Sequence, residues 1–368
     1  MATKVPRNKF HSCQACMPVD ATQFQALLSE IWAGEFDNLR ILYLTTSPLL
    51  TSFYLSLVFA AIVFAISELN DNYSQVDRAW GLFPTIYNAH YSLWAHLSGL
   101  DAARVDLVLG FTVLWAVRYC LPFTVPVLVP LKTLQIRLSH TYGRKGGYAK
   151  GFEDYRWKIV RAKFTSKLLF TVFNLLFVSI WQNVVFYLAT TPTYFLLVSS
   201  QRHPHITAID VLFATVLLAL LAIEGIADEQ QWSYQTAKRN FLHSSSSPDA
   251  SATPSRFPRS ALARGFPTHG LWAYSRHPNV AAEQGIWIAL YAWSFWHAPF
   301  NAGFFGLAAY LLPFYDSSKM TEAVSARKYA EYAEYQRQVG RWVPRRWWWS
   351  GYVPPEGEKK GKGKEKEG

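Results

Sequence analysis

Charge is scarce in this chain of 368 residues. Only 17% of positions are Asp, Glu, Lys or Arg, against about 25% in an average soluble domain. Cysteine is scarcer still, with three in all. Cys13 and Cys16 form a single CxxC without a second pair and Cys120 stands apart, which excludes a disulfide framework and leaves two thiols in an N-terminal arm. No GxGxxG follows a strand-like run, and the glycines from Gly143 to Gly147 lack phosphate-loop spacing, so a Rossmann fold is excluded. The first 45 residues carry Lys4, Arg7 and Lys9 but no apolar core of the kind a cleavable signal peptide needs. There is no internal repeat.

What the chain has in excess is apolar surface. Half of it (51%) is hydrophobic and 16% is aromatic. Runs near the roughly 20 residues that cross a bilayer occur at Ser47–Ile66, Val105–Leu131, Phe164–Ala189, Ala208–Ile226, Ala281–His297 and Phe300–Tyr315. A weaker seventh, Ala79–Ser98, is interrupted by Asn88, His90 and His96. The expectation is an all-α polytopic membrane bundle of six or seven transmembrane helices.

The net charge of +11 follows the same plan. Ten Lys/Arg lie between Lys132 and Lys167, against Glu153 and Asp154, and more lie between Lys238 and Arg276 and beyond Arg327. Basic residues gathered in loops on one face obey the positive-inside rule, so a membrane, not nucleic acid, is the expected partner. The expected domain is 46–350, preceded by an arm (1–45) and followed by a charged tail (351–368). The Ser/Pro-rich stretch 243–260 reads as a flexible insertion. Several spans without a signal peptide point to the endoplasmic reticulum membrane.

The densest chemistry is Gly270-Leu-Trp-Ala-Tyr-Ser-Arg-His-Pro-Asn279 with Glu283. Charged groups at membrane depth are expensive and mark functional sites. Pro278 has no N–H to donate and suits a first helical turn. Such a helix start favours an anion, and Arg276 adds a bidentate group matched to phosphate. His277 and Asn279 supply donors, and Glu283 accepts. Glu224 and Asp228, four residues apart, share one helix face where an apolar span ends. Arg202-His203-Pro204-His205 repeats Arg-His-Pro without a following Asn and Glu and reads as a turn. His90 and His96 are too scattered for a metal triad, and no metal is expected.

The block from Gly270 to Asn279 with Glu283 resembles the C-terminal signature of steroid 5-alpha-reductase-like membrane proteins, in particular a fungal and bacterial branch of predicted reductases. Sterol reductases and isoprenylcysteine carboxyl methyltransferases share a related Arg-His-Pro core. Glu322, Lys328-Tyr329-Ala-Glu331-Tyr332-Ala-Glu-Tyr335-Gln336 and Pro344 are similar to the tyrosine-rich tail of the same group. Weaker blocks follow in order: Asp77-Arg78-Ala79-Trp80, Trp115-Ala-Val-Arg118-Tyr119, Glu153 to Trp157, and Trp181-Gln182.

The resemblance implies NADPH in a cytosol-facing cavity. It places Glu224 and Asp228 near the nicotinamide amide and ribose, and Tyr274, Arg276, His277, Asn279 and Glu283 along the cofactor. Lys328, Tyr329 and Tyr332 would approach its phosphate end. Asp77, Arg118 and Tyr119 fall at the substrate side. The chain departs from the pattern in having Val280, Ala281 and Ala282 after Asn279, and Trp115 where the steroid reductases have a carbonyl-polarising tyrosine. Indole has no transferable proton at neutral pH, which leaves Asp77, Tyr119 or water as the proton source. The expected activity is NADPH-dependent reduction of a carbon–carbon double bond in a lipid-like substrate. An S-adenosylmethionine-dependent methyltransferase and a non-catalytic lipid-binding protein of the same fold are the alternatives.

Overall fold

A computed structural model describes residues 29, 36–120, 151–244, 255–345 and 351–354. They are helical, with no strand among them beyond one isolated parallel bridge between Ser275 and Gly340. Among the described residues three helices are long and apolar enough to cross a membrane: Pro48–Asn70, Lys167–Ser200 and Ala208–His243. The chain divides into two compact units, one of residues 1–225 and 283–315, the other of 226–282 and 316–368.

In the first unit, α1 (Phe36–Thr45) leads into α2 (Pro48–Asn70), which starts on Pro48 and stops where Asp71 turns left-handed, φ 45°. Along α2 the inward stripe is Ser52, Ser56, Ala60, Val63 and Ser67, while Val58, Ile62, Ile66 and Leu69 face outward. Small residues inside and large aliphatic ones outside is the pattern lipid favours. Helix association there relies on close backbone approach, because lipid tails already satisfy leucine. Then come α3 (Gln75–Ala79), α4 (Leu82–Leu97), α5 (Ala103–Cys120) and α6 (Tyr155–Arg161).

A continuous rod follows: α7 (Lys167–Phe173), a π-helical stretch (Asn174–Trp181) and α8 (Gln182–Ser200). α8 packs on α2, α4 and α5, and the π stretch packs on α2. The rod is longer than the expected 164–189 run because Thr190 and Thr191 donate their hydroxyls to carbonyls three residues back, so polar residues continue the helix with most of their hydroxyls satisfied inside it. The 121–131 half of the expected third span lies outside the described residues.

Next are α9 (Ala208–Ser244), α10 (Arg259–Arg264), a 3₁₀ turn (Gly270–Ala273), α11 (Pro278–His297), α12 (Gly303–Lys328) and α13 (Tyr332–Gln338). The core of the first unit is aromatic, with Trp115, Phe186, Trp287, Trp293 and Tyr310 almost wholly buried. The loop at 202–205 is a turn, held by Arg104, which donates to the carbonyls of His203 (2.6 Å) and His205 (2.8 Å). Residues 245–254 of the Ser/Pro-rich stretch are outside the described part, and its end forms the start of α10.

Candidate functional site

Within the second unit the Arg-His-Pro-Asn block is positioned from both sides. Trp272 of the 3₁₀ turn donates its indole N–H to the carbonyl of Ala227 (3.0 Å), and Gln230 accepts from the amide of Leu271 (2.9 Å). Gly270 sits at φ +57°, where a side chain is strained and its Cβ, 2.4 Å from the Gln230 amide, would push that amide off the Leu271 N–H. The chain then runs beside the tail: Arg276 N–H donates to Gly340 O (2.9 Å) and His277 N–H to Arg341 O (3.0 Å).

The side chains turn inward. Arg276 is 7% exposed, and its Nε and Nη2 donate to the two carboxylate oxygens of Glu322 at 2.9 and 3.1 Å. Its Nη1 reaches the carbonyls of Val339 (2.5 Å) and Gln336 (3.1 Å). His277 Nε2 lies 3.1 Å from Glu322, and Arg341 adds a second fork at 3.2 and 3.1 Å. Four guanidinium donors of Arg276 are thereby engaged within the protein, out of the five the group carries. Burial works against the Glu322 charge, but hydrogen bonds from His277, Arg276 and Arg341 outweigh it and hold the carboxyl well below its ordinary range. Arg276 and His277, read from the sequence as anion-gripping groups, here tie the start of α11 to the tail.

Asn279 is different. In the first turn of α11 its Nδ2 donates to Asp228 Oδ1 at 3.0 Å, while its Oδ1 is buried and has no hydrogen-bond partner. A buried acceptor without a donor is costly, which sets this atom apart from the satisfied groups of Arg276 and Glu322.

The tyrosine tail is mainly packing. Tyr332 and Tyr335 are buried with Phe266, Tyr352 and the partly buried Tyr329. Tyr335 donates to the carbonyl of Trp272 (2.5 Å), and burial pushes the Tyr332 hydroxyl up to about 12. Tyr329 accepts from Lys238 Nζ (2.8 Å), Lys328 Nζ stands 5.5 Å from its ring centre, and Tyr274 is 41% exposed.

In the first unit Arg118 and Glu224 form a buried ion pair in which Glu224 Oε2 has no hydrogen-bond partner. Asp77 accepts from the indole of Trp157 (3.1 Å) with Arg156 at 3.7 Å. Burial raises its carboxyl above the ordinary value, an effect that Arg156 and the indole bond offset only in part. The side chain of Tyr119 lies outside the described residues. Glu283 accepts from Tyr310 (2.8 Å) and from Trp80 (3.2 Å), whose indole also lies 3.2 Å from the Tyr310 hydroxyl. Trp115 stands edge-on to Trp287 at 5.7 Å. Tyr310 escaped the sequence reading because a single tyrosine in an apolar run carries no motif. Glu322 was visible only as part of the tail block.

Over 339 residues, 89% of this chain and 91% of the relative, the protein is 29% identical to an uncharacterized protein of Schizosaccharomyces pombe. No solved structure matches. A family model, described as "Protein of unknown function (DUF1295)", matches residues 122–339, a span that contains Asp228, Arg276, Asn279, Glu283 and Glu322. With more than half its length inside that match, the chain belongs to the DUF1295 family.

Proposed function

We propose that this protein is an NADPH-dependent reductase of a carbon–carbon double bond in a lipid-like substrate. It would be a six- or seven-helix bundle of the endoplasmic reticulum membrane whose cofactor cavity opens to the cytosol. One observation carries the reading: the buried, partnerless Oδ1 of Asn279, paired through its amide nitrogen with Asp228 in the first turn of α11. Asp228 fixes the amide so that its oxygen is left as an acceptor, which fits the carboxamide N–H or ribose hydroxyl of a nicotinamide nucleotide. Lys328 and Tyr329 would serve its phosphate end. When bound, the nucleotide supplies the hydride.

The chain's own residues do the rest. Arg276 and His277 act at one remove: by holding Glu322 they fix the helix start that presents Asn279. Reduction also needs a proton, and Asp77, whose burial favours the protonated acid, is the source this reading assigns. The motif resemblance and the three membrane-length helices support the class of substrate.

NADPH titrated into detergent-purified protein is expected to raise its melting temperature. Asn279→Ala is expected to weaken that response, read as the shift from the variant's own ligand-free melting temperature, about tenfold, the worth of one to two hydrogen bonds, while the lost bond to Asp228 lowers the ligand-free melting temperature itself. A response to S-adenosylmethionine and none to NADPH would overturn the proposal in favour of methyl transfer. NADPH binding without oxidation in the presence of membrane lipid extract would leave a binding protein.

A further inference from the structure

Away from these residues, the first unit contains a cavity of about 340 Å³ where α2 ends and the rod of α7 begins. Asp71, Tyr73, Arg161, Thr165, Lys167 and Phe170 line it. Both charge signs are present beside aromatic rings, and neither unit of the reductase reading uses any of these groups. The Arg161 guanidinium is preset: its carbon lies 5.0 Å from the Tyr73 ring centre and 5.6 Å from that of Phe170, and one Nη donates to Glu153 at 2.8 Å. Its Nε–H is buried and has no hydrogen-bond partner. Lys167 and Asp71 approach each other only to 3.9 Å, with side chains 80% and 73% exposed. Such an exposed pair contributes little by itself and is readily exchanged for other partners.

The setting matters as much as the lining. Lys167 is the first residue of a 34-residue helix long and apolar enough to cross a membrane. Leu168, Leu169 and Val172 follow it with exposures of 72%, 54% and 43%, and Leu69 precedes Asp71 at 84%. Apolar side chains pointing outward directly below a charged, aromatic-lined cavity is the layout of a bilayer edge, where aromatic and basic residues meet headgroups.

We propose that this cavity binds the headgroup of a zwitterionic phospholipid. The phosphate meets Arg161 and Lys167, the cationic end of the headgroup meets Asp71, and the acyl chains lie along Leu168, Leu169 and Val172. Glu153 already offsets the charge of Arg161, and Asp71 that of Lys167, so the site is neutral. A ligand carrying both signs replaces the long Asp71–Lys167 contact with two closer ones and keeps it neutral, which a purely anionic headgroup does not. The inference rests on the membrane reading of the Lys167–Ser200 helix and is independent of the reductase reading.

Dihexanoyl-phosphatidylcholine, added to the full-length detergent-purified protein below its own micelle-forming concentration, tests it. A saturable rise in melting temperature is expected, with a weaker response to dihexanoyl-phosphatidylglycerol and to sodium phosphate. Lys167→Gln changes a residue that is 80% exposed and should fold normally. Its apparent affinity should fall about tenfold, the loss of one charge-assisted contact. Arg161→Gln should lose the response, and Thr165→Phe, which fills the cavity, should do the same if Arg161→Gln fails to fold. The proposal is overturned by no response, by an unchanged response in Lys167→Gln and Thr165→Phe, or by phosphatidylglycerol or phosphate acting as strongly as phosphatidylcholine. NADPH titration of Lys167→Gln should match the wild type, so a failed cofactor assignment leaves this result standing.

Discussion

The carboxylate of Glu322 holds the tail against the start of α11, and replacing it with glutamine tests that role. It receives six hydrogen bonds: two from Arg276, two from Arg341, one from His277 and one from Gln336. Glu322→Gln removes the charge and points an amide N–H₂ at guanidinium donors. Arg341 is 25% exposed and can turn to water when the charge is gone, so the cost is set mainly by Arg276, left buried without its counter-charge. Removing one partner of a buried pair costs about 3–5 kcal/mol, which corresponds to about two to nearly four powers of ten in the open population.

The local readout is hydrogen exchange at the amides of Arg276 and His277, which are donated to the carbonyls of Gly340 and Arg341. Their exchange should accelerate by that factor. The double variant Arg276→Met/Glu322→Leu should recover part of the loss, because it removes the charge along with its partner. The pH dependence has a definite sign. The folded-state carboxyl is held below the ordinary value of 4.5, so its contribution is complete above that value and disappears as pH falls through and below it. Unchanged exchange at both amides in Glu322→Gln would refute the argument.

Two further outcomes follow from the packing. Asp210 is wholly buried and one of its oxygens accepts from Arg104 (2.9 Å), Trp293 (2.8 Å) and His297 (2.7 Å), so Asp210→Asn should lower stability by about 3–5 kcal/mol. A melt in detergent showing no change would remove the claim that this cluster locks α5, α9 and α11 together. At Gly306 a Cβ would sit 2.0 Å from the carbonyl oxygen of Leu188, so Gly306→Val should cost at least the about 1–3 kcal/mol typical of overpacking, whereas Gly110→Ala, into open space, should not. Equal melting of the two variants would show that α12 and α8 are not in close backbone contact.

Much of the architecture was legible along the chain because a membrane-length apolar run is a local property. The runs beginning at Ser47 and Ala208 became helices Pro48–Asn70 and Ala208–Ser244, and Pro278 opens α11 as its missing N–H requires. Helix ends were less legible. Val105–Leu131 is helical to Cys120 within the described residues, and Phe164–Ala189 extends to Ser200 because threonine and serine hydroxyls find acceptors inside the helix itself. Hydropathy has no access to that compensation.

By itself the sequence determined the all-helical class of the described residues, the apolar runs behind the three membrane-length helices among them and the singling out of Arg276, His277, Asn279 and Asp228, since those follow from composition, spacing and the cost of charge among apolar residues. Only the tertiary structure decided what each polar group faces. A guanidinium fits a phosphate and a carboxylate equally well, and the carboxylate that Arg276 meets is 46 positions away. Asn279 and Asp228 are 51 positions apart, and only their pairing shows which amide atom has no partner. Partner choice of that kind depends on which distant segments the packed helices bring within 3 Å, and no local pattern in the chain encodes it.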